Sequence, residues 1–197
     1  MKNKKLSSAQ KFMYSVIAIM IVISSICFIY NYLICNNDII LTIGITAFTI
    51  LYHFAVRIIL NNIANLFKDN FKYSQKFFME RKHEKKLYKL LKVKDWKDKM
   101  PTFVPDTFSL ENHSMEEIAN TMCMSEVNHI LNIAISLSTI LFSLIWGMFG
   151  VFFATAILAS LFDSLFIIMQ RYNRPRFVKL MERKNREKEK ILENSIS

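Results

Sequence analysis

Glycine, proline and cysteine are all scarce in this sequence, with 3 of each among 197 residues. Three cysteines cannot form a disulfide framework, and Cys27 and Cys35 lie on one predicted helix, separated by about 12 Å of helical rise. Although glycine is rare, 52% of the chain is hydrophobic, with 17 Phe and 11 Met. This composition excludes a disordered chain, a collagen-like repeat and a charge-rich soluble fold.

Charge is nearly absent from two long stretches, 12–60 and 127–169, whose only charged residues are Asp38, Arg57 and Asp163. Each stretch divides at a short turn, 36–38 in the first and 147–150 in the second. The apolar segments that result are 12–35, 39–60, 127–146 and 151–169. The first would extend about 36 Å as a helix, enough to cross a hydrocarbon core of about 30 Å. The sequence therefore predicts an all-α polytopic membrane protein with four transmembrane helices in two hairpins.

Basic residues flank these apolar segments. Lys and Arg number 26 against 16 Asp and Glu, and 25 of the 26 lie in the termini or in the central polar region. Basic loops next to spans face the cytoplasm, so both termini and the central region are expected there. Membrane lipids rather than nucleic acid are the expected partners. The predicted regions are a basic N-terminus (1–11), a first hairpin (12–60), an amphipathic and basic cytoplasmic region (61–126), a second hairpin (127–169) and a basic tail (170–197).

The central polar region contains apolar residues at helical spacing over 63–78 and again over 79–99. This pattern predicts amphipathic cytoplasmic helices lying on the membrane surface. Pro101 and Pro105 interrupt the pattern, and 101–112 is predicted to be a loop. Ser114, followed three residues later by Glu117, predicts a capping box at the start of a helix that runs on toward the third span.

Glu126 and His129 lie near the cytoplasmic mouth of the third span, three residues apart and therefore on one helix face. An ionisable group at the rim of a span usually has a function or a partner. His129 is a candidate general base, with Glu126 hydrogen-bonded to its ring. The alternative, slightly favoured on the residues alone, is a structural polar contact between helices. One Glu-x-x-His is only half of a di-iron pattern, so we expect no metal site and no cofactor.

Three more ionisable residues lie within the spans. His53 and Arg57 are one helical turn apart near the cytoplasmic end of the second span and are candidate substrate-binding residues. Alternatively, Arg57 extends to the interface and His53 only packs. Asp163 lies deeper, in the fourth span, and is expected to pair with one of these cations and hold helices together.

The segment that leaves the fourth span is rich in arginine. It consists of Gln170, Arg171, Tyr172, Asn173, Arg174, Pro175 and Arg176. Pro175 is expected to push Arg174 out of the helical region and redirect the chain along the membrane surface. Guanidinium groups suit phosphate, diphosphate or carboxylate, which predicts substrate binding. A topology anchor with an interfacial tyrosine is the alternative.

Three blocks of the sequence carry a family resemblance: 88–89 with 91–98 and Pro101, then 126–129, then 170–176. Together they resemble the glycosyl-4,4'-diaponeurosporenoate acyltransferase family of staphyloxanthin biosynthesis, small bacterial membrane proteins. The third block agrees throughout, and the resemblance covers roughly residues 50–185. The chain departs from the family beside the Glu-x-x-His, where 121–124 and Ile130 replace charged residues and a Trp.

The resemblance implies an enzyme of a bacterial cell membrane that moves a fatty acyl group from acyl-CoA or a similar donor to a glycolipid hydroxyl, on an acceptor of the carotenoid glycoside type. In the mechanism that we expect, His129 deprotonates this hydroxyl and Glu126 orients the ring. Arg171, Arg174 and Arg176 hold donor phosphates or stabilise oxyanion charge. The other residues of the predicted substrate-binding set are Gln170, Tyr172, Asn173, Trp96 and Lys97, the last two at the cytoplasmic entrance.

Two other functions fit the same sequence. One is a non-enzymatic membrane subunit whose basic helices bind anionic lipid or a partner enzyme. The other is a lipid-linked transferase with a different donor, because arginine clusters also bind diphosphates.

Overall fold

The computed structural model describes residues 6–196, and every regular element within that range is helical. The α-helices in this part of the chain are α1 (Ser8–Leu33), α2 (Asp38–Leu66), α3 (Glu84–Leu90), α4 (Val93–Trp96), α5 (Met115–Ser138), α6 (Ser143–Trp146) and α7 (Phe149–Ile196). Four helical segments are long and apolar enough to cross a membrane: Ser8–Leu33, Asp38–Leu66, Met115–Trp146 and Phe149–Asn194. The predicted all-α polytopic class is confirmed.

The first hairpin pairs α1 with α2 across the predicted turn at 36–38. Asn37 caps α2, because its side-chain oxygen accepts hydrogen bonds from the backbone amides of Ile39 and Ile40, the second and third residues of the helix. Gly44 allows the two helices to approach closely, since a Cβ at this position would lie 3.0 Å from the Cβ of Cys27. Most of the large apolar side chains of α1 are exposed, as expected for a helix that faces lipid.

The second hairpin begins at the predicted capping box. The Ser114 hydroxyl accepts from the Glu117 backbone amide, and the Glu117 carboxylate accepts from the Ser114 amide. The third crossing consists of α5, a 3-10 turn (Thr139–Phe142) and α6. Gly147 and Met148 then reverse the chain with φ angles of +68° and +54°. α7 packs along α5, and α2 contacts both of these helices.

The predicted redirection of the chain at Pro175 is wrong, because α7 continues through this residue without interruption. Proline lacks a backbone N–H, so the helix loses the one hydrogen bond that would reach the Arg171 carbonyl. Side chains on both sides of the proline keep their contacts: Arg174 is bound to α5 and Met181 is buried. The arginines of this segment therefore project from one continuous helix, with an angle of about 100° between successive residues.

The prediction of amphipathic surface helices over 63–78 and 79–99 is also largely wrong. α2 ends at Leu66, and short 3-10 turns (Lys68–Asn70 and Lys76–Phe78) follow it. The backbone here binds other parts of the chain, since the Tyr73 amide donates to the Asn120 side chain and the carbonyl of Phe78 accepts from Arg174. Phe78 is only 4% exposed, so its ring packs within the protein. Farther along, α3 and α4 are short and are separated at Lys92, whose φ is +48°.

Candidate functional site

A buried carboxylate with two arginines forms the first polar cluster. Glu126 of α5 is completely buried. Its Oε1 accepts from Arg171 Nε and its Oε2 from Arg174 Nη1, both at 2.6 Å. Two charge-assisted hydrogen bonds compensate the desolvation of this carboxylate and fix α5 against α7. We call these three residues the Glu126 cluster.

The other guanidinium nitrogens of this cluster bind Glu84, the first residue of α3, and the chain just before it. Arg171 donates to the Glu84 carboxylate and, at 3.1 Å, to the Phe77 carbonyl. Arg174 donates to the Phe78 carbonyl through Nε at 3.2 Å and through Nη2 at 2.7 Å. Both guanidiniums also lie over the phenyl rings of these phenylalanines. All three nitrogens of each guanidinium are therefore hydrogen-bonded within the protein.

A second cluster lies deeper in the bundle, around Asp163 of α7. Asp163 is completely buried, and its Oδ2 accepts from Arg57 Nη2 of α2. Its Oδ1 contacts His129 Nδ1 at 2.8 Å and accepts from Asn132 Nδ2 at 3.3 Å. The expectation that Asp163 pairs with a cation and joins helices is confirmed. The alternative, in which Arg57 extends to the interface, is wrong, because its side chain turns inward to this carboxylate. We call these four residues the Asp163 cluster.

The ring of His129 is fixed on two sides. Its Nδ1 faces Asp163, and its plane stacks on Phe166 with the ring centroids 4.7 Å apart and 8° between the planes. The predicted hydrogen bond between Glu126 and His129 is wrong, because Glu126 binds the two arginines and His129 binds Asp163. A full positive charge compensates a buried carboxylate better than a neutral imidazole does. In the tautomer that carries its proton on Nδ1, the ring donates to Asp163 Oδ1 and leaves Nε2 as an acceptor.

Several buried polar atoms near the Asp163 cluster have no hydrogen-bond partner within the described residues. They are His53 Nδ1 and Nε2, Arg57 Nε, Asn128 Oδ1, Asn132 Oδ1 and Ser160 Oγ. Such atoms are costly unless a partner satisfies them. His53 is 5% exposed and lies one turn before Arg57, whose Nη1 donates to its backbone carbonyl at 2.6 Å. These atoms are therefore hydrogen-bonding groups that no other group of the described residues satisfies.

The other predicted site residues do not join these clusters. Gln170 is buried and donates to Ser125 Oγ at 3.3 Å, while Asn173 is only partly exposed. Arg176 is separate from the other two arginines: its guanidinium lies 3.6 Å from the ring centroid of Tyr172, so the three guanidiniums do not converge. Trp96 Nε1 donates to the carbonyl of Leu91, and Lys97 pairs with the adjacent Asp98.

Tyr172 packs against a tyrosine of α3. The rings of Tyr88 and Tyr172 meet edge to face with their centroids 5.4 Å apart, and Tyr88 Oη donates to Glu84 at 2.9 Å. Burial, together with this hydrogen bond and the Glu84 charge, raises the pKa of the Tyr88 phenol above its ordinary value. Tyr88 thus remains a protonated donor to the carboxylate that also binds Arg171.

Sequence reasoning missed Glu84 and Asn132 as members of these clusters. Glu84 is an acidic residue between His83 and two lysines, and no spacing in the sequence relates it to Arg171, 87 positions away. Asn132 lies one turn after His129, so helical spacing from His129 was a usable signal. The carbonyls of Phe77 and Phe78 could not have been found from side-chain patterns.

A family model described as glycosyl-4,4'-diaponeurosporenoate acyltransferase matches residues 70–183. The match contains the Glu126 cluster, together with His129, Asn132 and Asp163. It begins after α2, so His53 and Arg57 lie outside it, although the resemblance was expected to extend over 50–185. No curated protein and no solved structure matches the chain significantly.

Proposed function

This chain belongs to the glycosyl-4,4'-diaponeurosporenoate acyltransferase family, and on this basis we propose that it is a membrane enzyme that transfers a fatty acyl group to a hydroxyl of a glycosylated membrane lipid. The acceptor is of the carotenoid glycoside type, and the donor is acyl-CoA or a similar thioester. The observation that carries the proposal beyond family membership is the His129–Asp163 pair, held between α5 and α7 next to buried polar atoms that lack partners.

His129 acts as the general base in this proposal. Asp163 accepts a hydrogen bond from the Nδ1–H group and stabilises the ring when it becomes charged, which is how a carboxylate supports a catalytic histidine. Arg57 and Asn132 fix the carboxylate, and stacking on Phe166 fixes the plane of the imidazole. About 17% of the His129 side chain is exposed, so a substrate can approach the ring. Asp163 therefore takes the orienting role that the sequence assigned to Glu126.

The proposed reaction is a direct acyl transfer. His129 Nε2 takes the proton of the sugar hydroxyl while the oxygen attacks the thioester carbonyl and forms a C–O bond. The tetrahedral intermediate then breaks its C–S bond, and the thiolate receives the proton from the imidazolium. The products are an ester and a free thiol, and His129 returns to its starting protonation state.

The unpartnered polar atoms support an acceptor that carries several hydroxyl groups. His53, Asn132 and Ser160 come from three different helices, α2, α5 and α7, within about one turn of Arg57, His129 or Asp163 in the chain. Their nitrogen and oxygen atoms complement hydroxyl groups, which both donate and accept. We propose that His53 contributes to acceptor binding, whereas Arg57 supports Asp163.

The test is turnover of the purified full chain in lipid bilayers, with a fatty acyl-CoA and a glycosylated carotenoid acid as substrates. We expect His129→Gln to lower the rate of ester formation by about 10²- to 10⁴-fold. His113→Gln is the matched control, because His113 lies just before the N-cap of α5 and its ring pairs with Glu117. Mass spectrometry detects the product as a gain of one acyl chain. Equal turnover by the wild type and His129→Gln would contradict the proposed mechanism.

Mass spectrometry of cell lipids addresses the non-enzymatic alternative. The exposed basic residues of 81–99 favour binding of anionic lipid without chemistry. Comparison of lipid extracts from cells with and without the gene decides between the two functions. A mass difference of one acyl chain supports the enzyme, and no difference in any lipid supports the binding subunit.

A further inference from the structure

An open cleft of about 620 Å³ lies between the α3–α4 segment and the outer face of α7. Six cationic side chains line it: Lys85, Lys89, Lys92, Lys94, Arg176 and Lys179. Glu80 and Asp95 are its only acidic lining residues, which gives six positive against two negative charges, a net charge of +4. Of the six cations, only Lys85 lies within 4 Å of a carboxylate of the described chain, that of Glu80 at 3.6 Å. This cleft is separate from the Glu126 and Asp163 clusters.

The break between α3 and α4 brings three of these lysines to one concave surface. Lys92 adopts the left-handed conformation, with φ +48° and ψ +42°. In an uninterrupted helix, Lys92 and Lys94 would point roughly 200° apart, because successive side chains rotate by about 100°. The left-handed residue changes the direction of the chain, so that Lys89, Lys92 and Lys94 all line the cleft. A non-glycine residue in this conformation is strained, which indicates that the surrounding structure holds it there.

The wall of the cleft is aromatic and rigid. Tyr88 is 5% exposed and is fixed by its hydrogen bond to Glu84. The Arg176 guanidinium stacks over Tyr172, and Tyr172 packs against Tyr88. A planar guanidinium on an aromatic ring offers a flat surface for a nucleobase, and the surrounding ammonium groups suit phosphoryl oxygens. The combination fits a phosphorylated nucleotide better than a lipid headgroup, which carries less charge and no base.

We propose that this cleft binds the phosphorylated nucleotide of the acyl-thioester donor, an inference that rests on the proposed function. The nucleotide of a CoA thioester has three phosphoryl groups with roughly four negative charges, which match the net charge of the cleft. Tyr172 and Arg176 lie 9 and 13 residues beyond Asp163 on α7, or about 14 and 20 Å along the helix axis. The flexible arm of such a donor extends from the cleft toward His129. Arg176 is thus the only one of the three arginines that contacts the donor.

The test measures binding of coenzyme A to the purified full chain in phosphatidylcholine nanodiscs by isothermal titration calorimetry at low salt. We expect the double variant Lys89→Gln/Lys92→Gln to bind roughly 10-fold more weakly than the wild type, since two charge contacts are lost. Lys184→Gln/Lys188→Gln removes the same charge from exposed positions of α7 outside the cleft and is expected to bind within about two-fold of the wild type. Pantetheine, which has the arm but no phosphoryl group, is expected to bind far more weakly than coenzyme A.

Three results would overturn the cleft assignment. The first two are no binding of coenzyme A and equal weakening in the two double variants. A third is displacement of coenzyme A from the wild type by phosphatidylglycerol in the nanodisc, with loss of lipid association in Lys89→Gln/Lys92→Gln, because the cleft would then bind headgroups. The assay contains no acceptor and needs no turnover. Specific binding without acyl transfer would therefore support the assignment of the cleft and contradict the proposed function. Turnover without coenzyme A binding would support the proposed function and contradict the assignment of the cleft.

Discussion

Removal of the charge on Asp163 is expected to affect both the stability and the chemistry of this protein. In Asp163→Asn the side chain keeps its size, but the Arg57 guanidinium loses its counter-charge in a place where only 12% of its side chain is exposed. The new amide group also places donors where a carboxylate oxygen accepted. Breaking a buried ion pair from one side costs about 3–5 kcal/mol.

In the proposed mechanism, the same substitution removes the group that accepts from His129 Nδ1 and stabilises the charged ring. We expect turnover to fall by about 10²- to 10⁴-fold, the usual contribution of a positioned general base. Loss of both stability and activity would be ambiguous alone. The double variant Arg57→Leu/Asp163→Leu resolves this ambiguity, because replacing a buried ion pair by apolar side chains is often neutral or stabilising. We expect it to regain most of the stability and none of the activity.

Thermal unfolding in detergent provides the measurement of stability. Cys123 is completely buried, so a thiol-reactive dye reports unfolding through it in a background with Cys27→Ser and Cys35→Ser. Activity is measured in bilayers as acyl gain by mass spectrometry. Wild-type turnover in Asp163→Asn would refute the role of Asp163 in catalysis. A double variant as unstable as the single one would refute the account of the Arg57–Asp163 pair.

Three further predictions concern other parts of the molecule. Glu126→Gln should lower stability by about 3–5 kcal/mol, because two arginines lose a buried counter-charge, whereas the exposed control Glu116→Gln should change it by about 0.5 kcal/mol or less in the same unfolding assay. Gly44→Val should destabilise the first hairpin by about 1–3 kcal/mol through overpacking against Cys27, and an unchanged melting temperature would contradict this. If both termini face the cytoplasm, an impermeant maleimide added to intact cells should label Cys35, which is exposed in the α1–α2 turn, but not the Cys35→Ser variant.

Local patterns were sufficient for the elements that depend on neighbouring residues. The four spans follow from uninterrupted apolar length, since backbone groups in lipid must satisfy each other within a helix. The capping box at Ser114 and Glu117 depends on a spacing of three residues and was confirmed. The predicted change of chain direction at Pro175 was wrong, because one missing hydrogen bond did not outweigh the contacts of α7 on both sides of the proline.

The sequence alone determined that the chain is helical, which segments are long and apolar enough to cross a membrane, and that an acidic residue in the fourth of them needs a cationic partner. These features rest on composition and on spacing within one helix. Only the tertiary structure decided that Glu126 binds Arg171 and Arg174 while His129 binds Asp163. Helical spacing shows which side chains can meet, but burial decides which do: each desolvated carboxylate takes the strongest cationic donors that the packing of the helices brings within reach.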